Sequence, residues 1–379
     1  MSKINEFMEK GKGLISKGLN NFKERKILLF SLLIIIISLL SSFIYISIQS
    51  NLNIKNCLNL KKIYTTNSRL TSIPDNNKYN LRDFYVKTAY NCCCSGQFKN
   101  DFVNLCALET CISQGVRCLD FEIYSMDNKP VVAASAVNDY STKGTYNSIP
   151  LSSVFNTIAT QAFSSGVCSN YNDPLILHFR IMSNNCKMYN EFANVIKNNS
   201  EFHSKTLGKS YSYENHGHNL GTEPISQFKG KIIIMVDNSN PLYQHTKLDE
   251  FVNITSGSTT PFMRFLRFKD IKYNQDMNLT EFNKKNMSIV LPDISPFDRN
   301  IDFNLARSYG CQFVGMSFQN YDNKLMQYNR FFDSKRSAFA LKPKNLRFVP
   351  LTIPIPSPAK EEHSYKPRHI KTNYYSLKI

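Results

Sequence analysis

The sequence lacks the short motifs by which proteins commonly hold zinc, nucleotides or nucleic acids. Its ten cysteines contain no C-x-x-C pair, which argues against a zinc site, and it has no glycine-rich loop suited to cradling phosphates. Acidic residues are also scarce: 29 of them against 46 Lys and Arg give a net charge of +17. This charge favours an anionic surface. We expect the lipid bilayer, anionic lipid headgroups and an unidentified protein as partners, and no nucleic acid.

Charge is absent altogether from residues 27–48. As a helix this stretch would be about 33 Å long, which is enough to cross the hydrocarbon core of a bilayer and longer than the apolar part of a signal peptide. It is therefore predicted to be a single transmembrane helix. Lys23, Arg25 and Lys26 precede it, so the positive-inside rule places the basic segment 1–26 in the cytosol. We expect a single-pass membrane protein whose other residues are extracytosolic or lie on a virion envelope.

Beyond the predicted span, the composition divides the chain into three parts. Residues 49–82 are predicted to form a polar stalk, residues 83–349 alternate short apolar runs with helical stretches, and residues 350–379 read as an irregular basic tail. The alternation predicts an α/β fold with a parallel sheet, either a barrel or an open doubly wound sheet. The predicted strands are Phe84–Thr88, Cys118–Ile123, Pro130–Ala133, Leu175–Phe179, Ile232–Val236, Ile289–Leu291 and Phe313–Phe318, and the predicted helices are Asp101–Gln114, Leu151–Ala162 and Lys187–Lys197.

A pair of acidic residues makes Gly115–Val132 the most informative stretch of the chain. In a strand, residues i and i+2 share a face, so Asp120 and Glu122 would project together while Phe121 points the other way. Two neighbouring carboxylates can bind a hard cation, act as an acid–base pair, or simply face solvent. The residues alone leave these alternatives open.

Eight segments between residues 83 and 348 have a distinctive order and spacing. They are TAYNCCC (88–94), GVRCLDFEIY (115–124), KPVV (129–132), DPLILHF (173–179), FKGKIIIMV (228–236), NKKNMSIVLP (283–292), GCQFVGMSFQNYD (310–322) and FALKPKNLR (339–347). Together they resemble the catalytic barrel of eukaryotic-type phosphoinositide-specific phospholipase C. The resemblance implies a distorted TIM barrel of the phosphodiesterase type, with halves at about 83–237 and 283–349 and a site at the carboxyl ends of the strands.

The resemblance also assigns roles to individual positions, and most of the family's functional residues are replaced there. The two catalytic histidines of the family fall on Tyr90 and Ala134. The positions of its calcium ligands fall on Asn91, Asp120, Glu122 and Arg180, so that a cation stands in place of the last carboxylate. The positions that bind the phosphates of the inositol ring fall on Met235, Asp237, Ile289 and Leu291.

These replacements predict a catalytically inactive pseudoenzyme with a binding or structural role in a membrane or viral envelope. Ala134 cannot transfer a proton, and the phenol of Tyr90, with a reference pKa near 10, is a weak substitute for imidazole. Each general acid or base contributes on the order of a hundred- to ten-thousand-fold to the rate. We expect no cofactor, apart from a vestigial calcium site.

The alternative is an active phosphoric diester hydrolase acting on phosphatidylinositol-type lipids through rearranged residues, namely Tyr90, His178, Asp120 and Glu122. It requires an imidazole within about 4 Å of the acidic pair. His178 alternates with Phe179 on a predicted strand, and the pattern favours a hydrogen-bonded core histidine over a catalyst.

Arg180 is predicted to contact Asp120, Glu122 or both as a built-in substitute for the ion. Its planar guanidinium can donate to two carboxylates at once, whereas two unpartnered acids would repel each other. The sequence contains two further groups of side chains that could bind a metal or form disulfides. His216 and His218 form at most half of a metal site, and the cysteines at 92–94 are expected to be buried or disulfide-bonded.

Overall fold

The computed structural model describes residues 2–139, 142–212, 219–273, 277–350 and 365–379. The pair His216 and His218 lies outside the described residues, as does the 351–364 part of the tail. The described strands are β1 Phe84–Ala89, β2 Cys118–Met126, β3 Lys129–Ala133, β4 Ile149–Pro150, β5 Leu175–Ile181, β6 Ile232–Asp237, β7 Ile254–Ser256, β8 Met263–Arg267, β9 Met287–Leu291, β10 Phe313–Met316, β11 Phe339–Leu341, β12 His369–Lys371 and β13 Ser376–Lys378. The described α-helices are α1 Ser2–Ile63, α2 Leu105–Ser113, α3 Leu151–Gln161, α4 Cys186–Asn198, α5 Ser200–Lys205, α6 Phe268–Tyr273, α7 Met277–Lys285, α8 Phe303–Ser308 and α9 Asn323–Lys335.

Eight parallel strands form a nearly closed barrel in the order β7-β6-β5-β2-β1-β10-β9-β8. An isolated parallel bridge between Gly257 and Arg264 joins the two ends of this order. Two barrel strands also pair with an antiparallel strand outside this order: β2 pairs with β3, and β1 pairs with β11. The barrel alternative of the predicted α/β fold is therefore confirmed.

Most barrel strands are buried on both faces, as expected of a parallel sheet covered by helices, whereas β8 is half-buried. Every residue of β1, β5 and β9 is buried. On the outer face Phe121 stacks on Phe179 with ring centroids 5.5 Å apart, and Phe179 meets Phe192 of α4 edge-on at 5.0 Å. This aromatic packing fixes which face of β2 and β5 points outward.

The register of β2 and β5 determines what faces the barrel interior. Asp120 is the Cα partner of His178, and Glu122 is the Cα partner of Arg180. Because Phe121 and Phe179 point outward, these four polar side chains lie together on the inner face. The predicted sharing of one face by Asp120 and Glu122 is thus present.

The segment that precedes the barrel is not a free stalk. Helix α1 continues to Ile63, and the chain beyond it buries Leu70 and Ile73 against the barrel core. A disulfide joins Cys57 to Cys106 in α2, and the other eight cysteines, including those at 92–94, are free thiols. Apolar residues in this segment find partners on the barrel, which is why it packs instead of extending into solvent.

Helix α1 includes a stretch, Lys23–Ile63, that is long and apolar enough to cross a membrane. Residues 348–379 form a separate unit in which β12 and β13 make an antiparallel hairpin. The prediction of a tail without regular structure therefore missed this hairpin. The strand-like signal in the described residues there is two short alternations, His369-Ile370-Lys371 and Ser376-Leu377-Lys378.

Candidate functional site

The four polar residues inside the barrel form one buried ion-pair network centred on Arg180. Its Nη1 donates to Glu122 Oε2 at 3.0 Å, and its Nη2 donates to Asp120 Oδ2 at 3.0 Å. Nε donates to Asp120 Oδ1 at 3.1 Å, and Nη2 also donates to Asn91 Oδ1 at 2.6 Å. The predicted contact of Arg180 with both acids is confirmed. Only 4% of Arg180 is exposed, so the network is shielded from solvent.

Asp120 has every acceptor position occupied. Besides the two bonds from Arg180, its Oδ1 lies 2.7 Å from His178 Nδ1, and its Oδ2 accepts the backbone N–H of Asn91 at 3.1 Å. A carboxylate offers about four lone-pair sites. Burial favours the neutral acid, but the Arg180 charge and the hydrogen bonds from His178 and Arg180 outweigh it and hold the pKa of Asp120 well below its usual range. Asp120 is therefore a saturated anion.

Glu122 is bound on both oxygens. Oε2 accepts from Arg180, and Oε1 accepts the hydroxyl of Tyr124 at 2.5 Å. Burial and the neighbouring Glu122 charge both raise the pKa of Tyr124, so its proton stays in place as a donor. Each oxygen of the second acid thus accepts one hydrogen bond.

His178 is a core histidine. Its Nδ1 faces the ionised Asp120 and must donate to it, while Nε2 lies 2.9 Å from the Ser256 hydroxyl on β7. The ring is fully buried. An imidazole therefore lies well within 4 Å of the acidic pair, but both of its nitrogens are occupied and neither reaches solvent. Sequence reasoning missed Ser256 and Tyr124. The alternation of Glu122 and Tyr124 on β2 was the available signal for Tyr124.

Asn91 and Tyr90 complete one wall of the network. Asn91 adopts a left-handed backbone with φ 44°, a conformation that Asn tolerates better than most residues, and this turn directs its N–H to Asp120. The Tyr90 ring lies 5.0 Å from Arg180 Cζ and meets Phe98 edge-on. Burial raises the pKa of Tyr90, so the phenolate that could accept a proton is even less populated at neutral pH.

The remaining positions from the family resemblance contain no cation. Ala134 is fully buried after β3, and its carbonyl accepts the N–H of Gly144 at 2.7 Å. Met235, Ile289 and Leu291 are buried apolar side chains. Asp237 ends β6, and its carboxylate accepts the hydroxyl and N–H of Ser239. None of these side chains could hold an inositol phosphate by charge.

The donor set does not fit a calcium ion. Calcium takes six to eight oxygen ligands, whereas the carboxylate oxygens here already accept hydrogen bonds and a guanidinium stands between them. Among the described residues, no group of three or more His, Cys, Asp and Glu side chains is arranged to hold a metal. Arg180 and the two acids therefore satisfy one another within the site.

Comparison with solved structures identifies the fold. PLC21 from L. pealei matches with a TM-score of 0.57 and 17% identity, covering 72% of this chain and 38% of that one. PLC21 from S. officinalis matches with a TM-score of 0.56 and 16% identity over the same shares. The chain thus spans well under two thirds of these relatives. A calcium-dependent phosphoinositol-specific phospholipase C from Pseudomonas sp. has a TM-score of 0.44 at 9% identity, covering 66% of this chain and 94% of that one.

No family model matches the sequence, and no curated protein matches it. The fold is therefore established by structure, through strand order and barrel closure, and not by sequence identity. The barrel of this chain has the fold of the phosphoinositide-specific phospholipase C barrel.

Proposed function

We propose that this protein is a membrane-anchored, phospholipase-C-like pseudoenzyme whose barrel has a binding or structural role in a membrane or viral envelope. The observation that carries the proposal is Arg180, whose guanidinium binds Asp120, Glu122 and Asn91 at the positions that the resemblance assigns to calcium ligands. A side chain of the protein satisfies the acids that would otherwise need an ion.

Hydrolysis of a phosphodiester would need three contributions that this site does not offer. Proton transfer would need a base with a free nitrogen or oxygen. The positions of the two family histidines hold instead the buried phenol of Tyr90 and the methyl group of Ala134. Charge on the phosphate would need a cation that is not already neutralised, whereas Arg180 is shared between two acids. Recognition of the headgroup would need basic residues where Met235 and Asp237 stand. The losses compound, since each contributes independently to the rate.

The alternative function, hydrolysis of phosphatidylinositol-type lipids by rearranged residues, has one observation in its favour. His178 Nδ1 lies 2.7 Å from Asp120, as a histidine–carboxylate pair would require. For this pair to act, Arg180 would have to leave the network and His178 would have to break its contact with Ser256. The first step leaves two buried carboxylates without their cation, so we favour the inactive form.

Membrane anchoring by residues 27–48 is part of the proposal. These residues are uncharged, their side chains are exposed along α1, and three basic residues precede them. An exposed apolar helix of this length is stable only if lipid or another apolar surface covers it. The basic flank supports a cytosolic segment 1–26 and an extracytosolic barrel.

A hydrolysis assay tests the proposal. The purified full chain, reconstituted in phosphatidylinositol vesicles, is assayed for release of inositol phosphate with calcium and with a chelator. We expect no release above that of empty vesicles in either condition. Turnover that is lost in Glu122→Gln and in His178→Ala would contradict the proposal and establish the rearranged hydrolase. Arg180→Glu is the matched variant, because it supplies a third carboxylate at the calcium-ligand positions without restoring a histidine at Tyr90 or Ala134.

A further inference from the structure

The part of α1 beyond the predicted span is fixed to one segment of the barrel, residues 101–106, which comprises the end of a loop and the start of α2. A disulfide joins Cys57 to Cys106. The neighbouring Asn56 Nδ2 donates to Asp101 Oδ1 at 2.8 Å, and one turn earlier Asn53 Oδ1 accepts from Asn104 Nδ2 at 3.0 Å. One covalent and two polar contacts hold this part of the helix in a defined orientation on the barrel.

That loop belongs to the mouth of the barrel, by which we mean the end where the parallel strands finish. It follows β1, and two contacts join it to the segment that follows β9. Gln97 Nε2 donates to Asp298 Oδ1 at 2.8 Å, and Phe98 N donates to Pro296 O at 3.2 Å. All eight barrel strands are parallel, so both connections lie at the same end. Helix α1 is therefore attached at the mouth and not at the opposite end.

One contact sets the level of the mouth relative to the predicted span. The hydroxyl of Tyr45, in the last turn of residues 27–48, lies 2.8 Å from the hydroxyl of Tyr146. Tyr45 is three residues before the end of the span, which corresponds to about 4.5 Å along the helix. Tyrosines favour this interfacial depth because the ring is apolar and the hydroxyl is polar. Tyr146 consequently lies at the depth of the bilayer surface.

The mouth surface next to Tyr146 is apolar and basic. Ile294 and Phe297 are 40% and 53% exposed, and Tyr146 is 39% exposed. Arg299 lies 5.2 Å from the Phe297 ring, and Lys99 is exposed on the loop that binds α1. The nearby Asp101 and Asp298 are buried and hydrogen-bonded. We call Tyr146, Ile294, Phe297, Lys99 and Arg299 the rim.

We propose that the disulfide-fixed helix α1 holds the rim against the bilayer that contains α1, with the rim's apolar side chains in the interfacial region and its basic residues at anionic headgroups. This inference rests on the membrane anchoring in the proposed function. The occupant is lipid because the rim is continuous, through Tyr45 and Tyr146, with the helix that spans the bilayer. Exposed aromatic and basic residues together are the composition that binds an anionic interface.

The absence of tryptophan from the sequence makes the test direct. Phe297→Trp gives the full chain a single tryptophan on the rim, and Tyr171→Trp gives a matched control. Tyr171 is 42% exposed and precedes β5, so it lies at the end opposite the mouth. Both variants are reconstituted in vesicles of phosphatidylcholine and phosphatidylserine, with and without phosphatidylcholine brominated near the headgroup. Bromine quenches tryptophan emission only at contact range.

We expect brominated lipid to reduce the emission of the Phe297→Trp variant and to leave that of the Tyr171→Trp variant unchanged. In unbrominated vesicles the emission of Phe297→Trp should already lie to the blue of that of Tyr171→Trp, because its tryptophan is in the interfacial region. In Phe297→Trp combined with Cys57→Ser and Cys106→Ser, quenching should fall, because the helix is no longer fixed to the mouth. If brominated lipid quenches both single-tryptophan variants equally while the chain resists alkaline extraction, the placement of the rim is overturned and the anchor stands. Release of the chain by alkaline extraction would refute the anchor and the rim placement together, while the hydrolysis assay separately decides whether the barrel is inactive.

Discussion

The substitution Arg180→Ala tests whether this side chain replaces an ion. It removes four hydrogen bonds, to two oxygens of Asp120, one of Glu122 and one of Asn91, from a site that is 4% exposed. Two buried carboxylates are left without their cation. Breaking a buried ion pair in this way costs about 3–5 kcal/mol.

Protonation limits that cost. Neutralising a carboxyl with a reference pKa near 3.9 at pH 7 costs about 4 kcal/mol, so one acid can take up a proton instead of remaining as an unpaired anion. The remaining anion keeps His178 or Tyr124 as a donor. We therefore expect Arg180→Ala to lower the free energy of unfolding by about 2–5 kcal/mol at pH 7, a large part of the stability of a typical domain.

The pH dependence gives the sharper readout. In the native chain the pKa of Asp120 lies below its unfolded value, so its contribution is present above that value and is lost as the pH falls toward the folded pKa. In Arg180→Ala, burial without a cation raises the pKa of at least one acid above its unfolded value. The destabilisation should then shrink as the pH falls from 7 toward 5, which is the opposite slope.

Urea denaturation of the detergent-solubilised full chain, followed by near-ultraviolet circular dichroism of the tyrosines, measures both quantities. Arg180→Lys keeps the positive charge but loses the planar guanidinium that donates to both acids. It should lower the free energy of unfolding by less than Arg180→Ala does. Arg330→Ala, on an exposed position of α9, is the surface control and should change stability by less than about 0.5 kcal/mol. An Arg180→Ala chain as stable as this control, or one with the native pH slope, would show that the acids do not depend on Arg180.

Four other outcomes follow from the structure. Calorimetry should detect no tight calcium binding to the native chain, and Arg180→Glu should gain measurable affinity without gaining hydrolysis. Burial lowers the pKa of Lys342 to about 7, so the free energy of unfolding should rise between pH 7 and about 10, and Lys342→Met should flatten that rise in denaturation curves. Cys106→Ser breaks the disulfide to Cys57, 49 residues away, and should lower the free energy of unfolding by at most about 4 kcal/mol, measured as a fall in the thermal midpoint. Protease added outside intact membranes should digest the barrel and leave residues 1–26 protected; digestion of those residues alone would reverse the topology.

The sequence was sufficient for the local geometry of the site. Alternation along β2 put Asp120 and Glu122 on one face. The predicted strand Leu175–Phe179 stopped before Arg180, and the family resemblance supplied the expectation that Arg180 lies beside the two acids. Charge then predicted the contact, because a guanidinium can donate to two carboxylates at once.

Long-range partners could not be inferred in this way. Ser256, which binds His178, is 78 residues away and lies on β7, a strand of three residues that gives no periodic signal. Strand β8, Met263–Arg267, was also missed, because its half-buried residues mix apolar and basic side chains. Closure of the barrel depends on these two strands through Gly257 and Arg264. The packing of residues 60–73 could not be predicted for a similar reason, since the three buried apolar residues, Leu60, Leu70 and Ile73, are irregularly spaced in a polar segment.

The disulfide between Cys57 and Cys106 makes the covalent attachment of the barrel to α1 depend on the redox conditions around the protein. A disulfide persists only in an oxidising environment, whereas the buried thiols at residues 92–94 need no oxidant to pack. The barrel can therefore fold before the covalent link to α1 exists. The barrel becomes covalently joined to α1 only in an oxidising environment. A reducing environment would leave the same barrel held to α1 by the chain and by non-covalent contacts alone.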